Sequence, residues 1–264
     1  IEEEGVVIDL FPLVVGGELR EAKTRALLAS GRWPCRSPDQ NMADLKAQIA
    51  ANETGRRELM RVVSLHGAGV VAAYMGHVQK NAEECVRAVI DRLQDGAFTY
   101  PMDIGTTIQV KVSVDPSTRS AVIDFTGTSA QHRGNYNAPQ AVTRAVVLYV
   151  FRTLVGKAIP LNEGCLKPLT IIVPEGTLLN PVAPAAVIAG NTEVSQSACN
   201  ALYGALGVVA AAQGTMNNFI WGNARFQNYE TIAGGTGAGP GFPGCDAVQS
   251  HMTNTRMTDP EVLE

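Results

Sequence analysis

Amides, hydroxyls, an imidazole and a run of glycines crowd into the stretch between Gln213 and Thr255. It reads Gln213-Gly-Thr-Met-Asn-Asn218, then Tyr229-Glu-Thr231, Gly234-Gly-Thr-Gly-Ala-Gly-Pro-Gly241 and His251-Met-Thr-Asn-Thr255. Polar groups at this density cost free energy in a packed core unless each finds a partner. Glycine at this density lets a backbone approach a ligand or a second chain. This is the composition of a site wall. If residues 247–252 form a strand, alternation places His251, Thr253 and Thr255 on one face beside the glycine loop.

Two carboxylates elsewhere stand in similar company. Glu163, in Asn162-Glu-Gly-Cys165, is either a base or orienting acceptor, or a turn carboxylate holding backbone N–H groups. Glu193, in Gly190-Asn-Thr-Glu193, opens a helical pattern, where it does chemistry or merely complements the helix dipole. Cys165 sits in a polar segment, but a nucleophilic thiol needs a base, and the sequence shows none beside it. Gly239–Gly244 matches G-x-G-x-x-G, yet it contains two prolines and no helical pattern follows, so it is not a dinucleotide site. There is no phosphate-cradling G-x-x-x-x-G-K-[ST] and no G-x-S-x-G elbow. His66, His77, His132 and His251 lack metal-ligand spacing.

The elements that position these residues follow from periodicity. Glu18–Leu28 is helix-like. A second helix begins at a cap, Asp39 or Asn41, and carries Met42, Leu45 and Ile49 on one stripe. A third, from about Val70 to Leu93, sets Val71, Met75, Val78, Ala82, Cys85, Val89 and Leu93 against Lys80, Glu83, Glu84 and Arg87, making a helical hairpin with the second. The period then changes to two. Ile108–Val114 and Ala121–Phe125 form a hairpin of half-buried strands, with Ala97–Met102 as a third strand. Asn137 caps a buried helix that has Pro139 in its first turn and ends at Gly156. Leu169–Val173 is a short buried strand. Thr192–Ala212 is an internal helix with polar first turns (Glu193, Ser195, Gln196, Asn200), in which Gly204 and Gly207 pack closely against a neighbour. Phe226–Ile232 and Ala247–Met252 read as strands. The class is α+β, with a helical segment over 1–95 and mixed strands, buried central helices and the glycine-rich region over 96–264.

Composition excludes several functions. The net charge of −4 and the absence of a basic stripe argue against nucleic acid. The longest apolar runs are too short to span a bilayer. Five spaced cysteines without C-x-x-C fit reduced thiols and a cytoplasmic protein. The chain begins at Ile1 and stops at Glu264 mid-pattern, so it reads as an internal piece of something longer.

The same segments carry a resemblance. D-F-T-G-T-S-A-Q (Asp124–Gln131), N-Y-N-A-P (Asn135–Pro139), I-P-L-N-E-G-C-L-K-P (Ile159–Pro168), P-E-G-T-L-L-N-P (Pro174–Pro181), A-G-N-T-E-V-S-Q (Ala189–Gln196), Q-G-T-M-N-N (Gln213–Asn218), Y-E-T-I-A-G-G-T-G-A-G-P-G (Tyr229–Gly241) and H-M-T-N-T-R (His251–Arg256) resemble the hydantoinase B/oxoprolinase family. Asp39–Asn52 and Ala73–Glu84 are similar to its ATP-dependent 5-oxoprolinase branch in particular. Thr192 and Val194 depart from the family's more usual Val and Thr, which bears on local packing rather than membership.

The resemblance implies ATP-dependent opening of the lactam of 5-oxo-L-proline to L-glutamate. An amide carbonyl is a poor electrophile. Once its oxygen is phosphorylated, water must add with a base to take its proton and donors to hold the oxyanion. On that reading the catalytic candidates are Glu163, Glu193, Asn217, Asn218, Glu230 and His251. The substrate-binding candidates are Asn137, Asn191, Gln196, Thr215, Gly235, Gly237, Thr253 and Asn254. No metal ligand is assigned. ATP and a divalent metal, Mg or Mn, are expected to bind outside this segment, on a hydantoinase A-like ATPase domain or subunit and on residues upstream. The full protein is expected to be a homo-oligomer. An ATP-dependent ketone carboxylase and a non-catalytic scaffold docking the ATPase-like half stay open as alternatives.

Overall fold

The computed structural model describes residues 5–252. Two compact units divide the chain at Val78/Gln79. That is earlier than the expected 95/96 boundary, because Ala82, Val86, Val89 and Ile90 belong to the core of the second unit.

In the first unit, β1 (Val14–Val15) and β2 (Glu18–Leu19) pair antiparallel, and α1 (Glu21–Leu28) and α2 (Pro38–His66) follow. Ser37, not Asp39 or Asn41, occupies the cap position of α2, with Pro38 in the first turn. The Asp39 carboxylate lies 2.6 Å from Arg25 Nη1 instead. Met42 is buried and Leu45 and Ile49 are half-buried, so the expected stripe is the covered side of the helix. At Gly67 (φ +82°) the chain leaves α2 for α3 (Ala68–Ile90), and the helix axes turn through 112°. This falls short of the antiparallel return of a hairpin, and the second half of α2 offers no buried stripe to pair with. No single helix among the described residues is long and apolar enough to cross a membrane.

The second unit is a four-stranded sheet under two helices. β3 (Gly96–Pro101), β4 (Thr107–Asp115), β5 (Ser120–Asp124) and β6 (Leu169–Ile172) lie in that order, antiparallel except for the parallel β5–β6 pair. The period-two pattern is borne out: Ile108, Val110 and Val112 are buried while Gln109 and Lys111 are exposed. α4 (Gln140–Leu154) contributes Val146, Val147, Val150 and Phe151 to the core. α5 (Val194–Leu206) packs on β3, β4 and α4, and Gly204 is its only residue besides Leu206 outside the buried class. Outside the sheet lie a hairpin, β7 (Asn218–Gly222) with β8 (Gln227–Thr231), and a short ribbon, β9 (Gly235–Thr236) with β10 (Cys245–Asp246).

Two expectations about helix ends fail, the first because a side chain acts at long range and the second because a glycine takes a left-handed conformation. Pro139, not Asn137, precedes α4. Asn137 is wholly buried; its Oδ1 accepts from His132 N–H, and its Nδ2 donates to the carbonyls of His132, Gly134 and Ala186. It locks two loops together. α5 ends at Gly207 rather than Ala212, because Gly207 adopts φ +65° and its N–H and that of Val208 close the helix on Gly204 and Tyr203. Nothing lies within 4 Å of a Cβ built at Gly207, so its role is conformational, not close packing. Gly204 does pack closely: a Cβ there would sit 2.8 Å from the Phe98 ring. Gly204→Leu is therefore expected to lower stability by about 1–3 kcal/mol through overpacking. Phe98→Ala should recover part of that loss in a double-mutant cycle by urea denaturation, and strictly additive effects would count against the contact.

Candidate functional site

One polar cavity of 250 Å³ gathers a good part of the sequence motifs. Its wall comes from three places: the end of β3 and the turn after it (Tyr100 to Ile104), the start of α5 (Glu193, Ser197), and the loop Gln213–Thr215, with Tyr136 completing the rim. Glu193 stands at the cap position of α5, yet its carboxylate makes no cap bond there. It accepts the Thr215 hydroxyl at 2.7 Å instead. Met216 N–H donates to the Thr192 carbonyl at 3.0 Å, so the loop is stitched to the start of α5 by side chain and backbone together. Ser197 follows Glu193 by four residues and Asn200 by seven, which puts all three near one face of the helix.

A second cavity, of 330 Å³, adjoins through Gln213 and is lined by Ala211–Gln213, Gly234–Thr236 and Gly244–Asp246. Here the glycines act by letting chains approach. A Cβ on Gly237 would strike the Ala210 carbonyl, and one on Gly234 the Gln213 side chain. Ala210 N–H in turn donates to the Ala238 carbonyl at 2.7 Å.

The other candidates are placed as follows. Asn217 is exposed and donates to Gln213 Oε1 at 3.0 Å. Asn218 spends its amide on the hairpin, giving Nδ2 to the Met216 carbonyl and accepting the Thr231 hydroxyl. Glu230 is exposed on β8, opposite Phe219. Glu163 is exposed, pairs with Arg144 at 3.0 Å and lines neither cavity. Asn191 is half-buried beside the 3-10 turn that precedes α5. Gln196 is buried and donates to the Met252 carbonyl. Thr253 and Asn254 lie outside the described residues.

His251 is not on a strand and does not line the cavity. Residues 247–252 form a turn and irregular chain ending in a bend at 251–252, and His251 holds φ +66°, a left-handed conformation that strand alternation gives no sign of. Its ring is buried against α5, with the Tyr203 ring at 5.2 Å between centroids. Its backbone N–H donates to the Tyr149 hydroxyl, and its ring Nε2 lies 2.8 Å from Asn200 Oδ1. Asn200 Oδ1 also accepts from Ala212 N–H at 3.0 Å, which can only donate, so that atom is the amide oxygen and Nε2 carries the proton. Nδ1 is buried with no partner. Burial depresses the imidazole pKa to about 4, and desolvation raises those of Tyr149, Tyr203 and Cys199 around it. The five cysteines are unpaired; Cys165 and Cys199 are buried, as small core residues are.

Sequence reasoning missed Tyr100, Asp103, Tyr136 and Ser197 as cavity residues. The spacing of 193, 197 and 200 on one helical face would have found Ser197. Nothing local marks Asp103, which reaches the cavity only because β3 packs against α5.

This α+β unit, with a polar cavity between a helix start and a sheet corner, has known counterparts. The hydantoinase B/oxoprolinase family model matches residues 1–264, and the chain belongs to that family. A 5-oxoprolinase of Dictyostelium discoideum is 41% identical over 273 residues, and so is 5-oxoprolinase 1 of Arabidopsis thaliana over 288. Both alignments cover 100% of this chain but only 21% and 23% of those proteins, so the chain spans about a fifth of the length of these relatives. Among solved structures, the ATP-dependent caprolactamase from Pseudomonas jessenii superposes with a TM-score of 0.72 at 23% identity, covering 92% of this chain and 45% of that one. A nucleotide-free acetone carboxylase gives 0.67 at 16% identity, covering 95% and 37%. These two likenesses establish a shared fold.

Proposed function

We propose that this chain is the hydantoinase B-like part of an ATP-dependent 5-oxoprolinase, which opens the lactam of 5-oxo-L-proline to L-glutamate. The observation that carries the reading is the end-to-end 41% identity to 5-oxoprolinases. The cavity supplies a chemical rationale. A base is needed beside the lactam carbon, and Glu193 provides a carboxylate held in place by Thr215. Donors are needed for the developing oxyanion, and the Ser197 hydroxyl and the Gly214 N–H lie on the same wall, the Thr215 hydroxyl being spent on Glu193. The wall bears Asp103 and Glu193 and no cation, so it suits the uncharged lactam ring. The substrate's carboxylate would be met by a cation from outside these lining residues.

ATP and a divalent metal belong to the proposed reaction, and the residues described here do not fit either. Among the described residues no group of three or more His, Cys, Asp or Glu is placed to hold a metal ion. The Gly239–Gly244 turn leads into β10 rather than into a helix whose N-terminus would receive a phosphate. The activating chemistry is therefore assigned to a hydantoinase A-like domain or subunit, and this chain to receiving the lactam. The 264-residue chain alone, given ATP, magnesium or manganese and 5-oxo-L-proline, is expected to release neither glutamate nor phosphate above background. Addition of the ATPase-like partner and upstream segment should start coupled release. Glutamate from the chain alone would refute the division of labour, and a complete assembly inert towards 5-oxo-L-proline would refute the substrate.

A further inference from the structure

Asn200 is buried, and its amide reaches three separate parts of the chain. Oδ1 accepts from the Ala212 backbone N–H at 3.0 Å and from His251 Nε2 at 2.8 Å, while Nδ2 donates to the Tyr100 hydroxyl at 3.3 Å. Two of those partners bear directly on the cavity. Tyr100 lines it, and Ala212 immediately precedes the Gln213–Thr215 loop. Gly214 fits beside the pair: a Cβ there would stand 3.1 Å from the Tyr100 hydroxyl oxygen and 3.8 Å from Asn200 Nδ2. The third partner belongs to a strap that is itself tied down. His251 N–H is fixed on Tyr149, Gln196 holds the Met252 carbonyl, and the Ser250 hydroxyl reaches the Gly235 carbonyl at 3.3 Å. Asn200 is thus where the wall of the cavity and the strap over α5 are joined.

We propose that Asn200 is a positioning residue of the cavity, setting the Gln213–Thr215 loop against Tyr100 and, through Thr215, orienting the Glu193 carboxylate. It touches no reacting atom. The proposal rests on the reading that the lactam is bound in this cavity. A buried amide with both ends engaged has no neutral substitute, since an apolar replacement leaves Ala212 N–H, His251 Nε2–H and the Tyr100 hydroxyl facing nothing. Aspartate keeps the acceptor that Ala212 and His251 need, and the Tyr100 hydroxyl can then donate to it.

The test has two arms. In the 264-residue chain, amide shifts of Ala212–Thr215 and the imidazole 15N shifts of His251 are recorded for wild type, Asn200→Leu and Asn200→Asp. In the complete ATP-coupled assembly, kcat and KM for 5-oxo-L-proline are measured for the same three. Asn200→Leu is expected to move the Ala212–Thr215 amides, release His251 from its Nε2–H tautomer and change kcat/KM by about tenfold or more. Asn200→Asp should restore the amide shifts and most of the loss. A folded Asn200→Leu with unmoved amides overturns the proposal. If that variant does not fold, His251→Leu, which has no donor for Asn200 Oδ1, cuts one arm of the junction and must still shift the Ala212 and Gly214 amides; unmoved amides there overturn it as well. Moved amides with wild-type kcat and KM leave the junction real but remove its role in catalysis, and in that case it is the placement of substrate in this cavity that has failed.

Discussion

Glu193→Gln, in the complete ATP-coupled assembly, is expected to lower kcat for 5-oxo-L-proline by about 10²- to 10⁴-fold, the range over which a positioned general base acts, with KM little changed. The choice of glutamine makes the result specific. Its amide oxygen still accepts the Thr215 hydroxyl, which donates to Glu193 at 2.7 Å, so the Gln213–Thr215 loop keeps its anchor. Only the capacity to take a proton is removed. Were Glu193 merely complementing the helix dipole, the same change would cost at most about 1 kcal/mol of stability and leave turnover alone. Thr215→Val is the natural companion, because it keeps the carboxylate but frees it to rotate; a smaller loss of kcat is expected there. Asp103→Asn tests the other carboxylate on the wall. A collapse of kcat in Asp103→Asn with a normal Glu193→Gln would move the base from the start of α5 to the turn after β3.

The core of this fold was legible because its periods are clean. Alternation through Ile108–Val114 and Ala121–Phe125 sorted the faces of β4 and β5 correctly, and the largely apolar or small-residue make-up of α4 and α5 announced that both contribute to the core. What failed were residues whose local context imitates one role while a distant partner assigns another. Asn137 two residues before Pro139 imitates a helix cap, but its amide is consumed by backbone from three loop positions, Ala186 among them. Gly207 resembles a packing glycine like Gly204, yet one takes positive φ and the other meets an aromatic ring. The cavity was half legible for the same reason. Glu193 and Gln213–Thr215 lie in polar, glycine-bearing motifs that stand out in the sequence, whereas Tyr100 and Asp103 sit at the end of an ordinary strand and join the wall only through the packing of α5 on β3. His251 stood out as a solitary imidazole among hydroxyls. Its φ of +66° and its burial against α5, which take it out of the cavity wall, are decided by contacts with Tyr149, Asn200 and Tyr203.

That burial has a consequence for stability. The imidazole titrates near its ordinary 6.5 in the unfolded chain and at about 4 in the folded one, because desolvation disfavours the charged ring. Above pH 6.5 the ring is neutral in both states and no proton distinguishes them. As pH falls from 6.5 to 4 the unfolded chain binds a proton that the folded chain does not, so stability declines with falling pH. The shift corresponds to about 3 kcal/mol, fully lost by the time pH passes through the folded value. Asp91, Asp115, Glu21 and Glu53 also have depressed pKa values, each through hydrogen bonds, but they sit at the surface and shed their stabilisation below the ordinary carboxylate range. The interval between pH 6.5 and 4.5 therefore belongs mainly to His251. Urea denaturation of wild type and His251→Gln at pH 7, 5.5 and 4.5 should show the wild type losing about 2–3 kcal/mol across that interval and the variant markedly less. Glutamine has an N–H that can still reach Asn200 Oδ1, so the contrast isolates the proton rather than the contact. Parallel declines in the two proteins would mean that the ring can take up its proton without leaving the fold, and that the strap over α5 opens to water well before the core does.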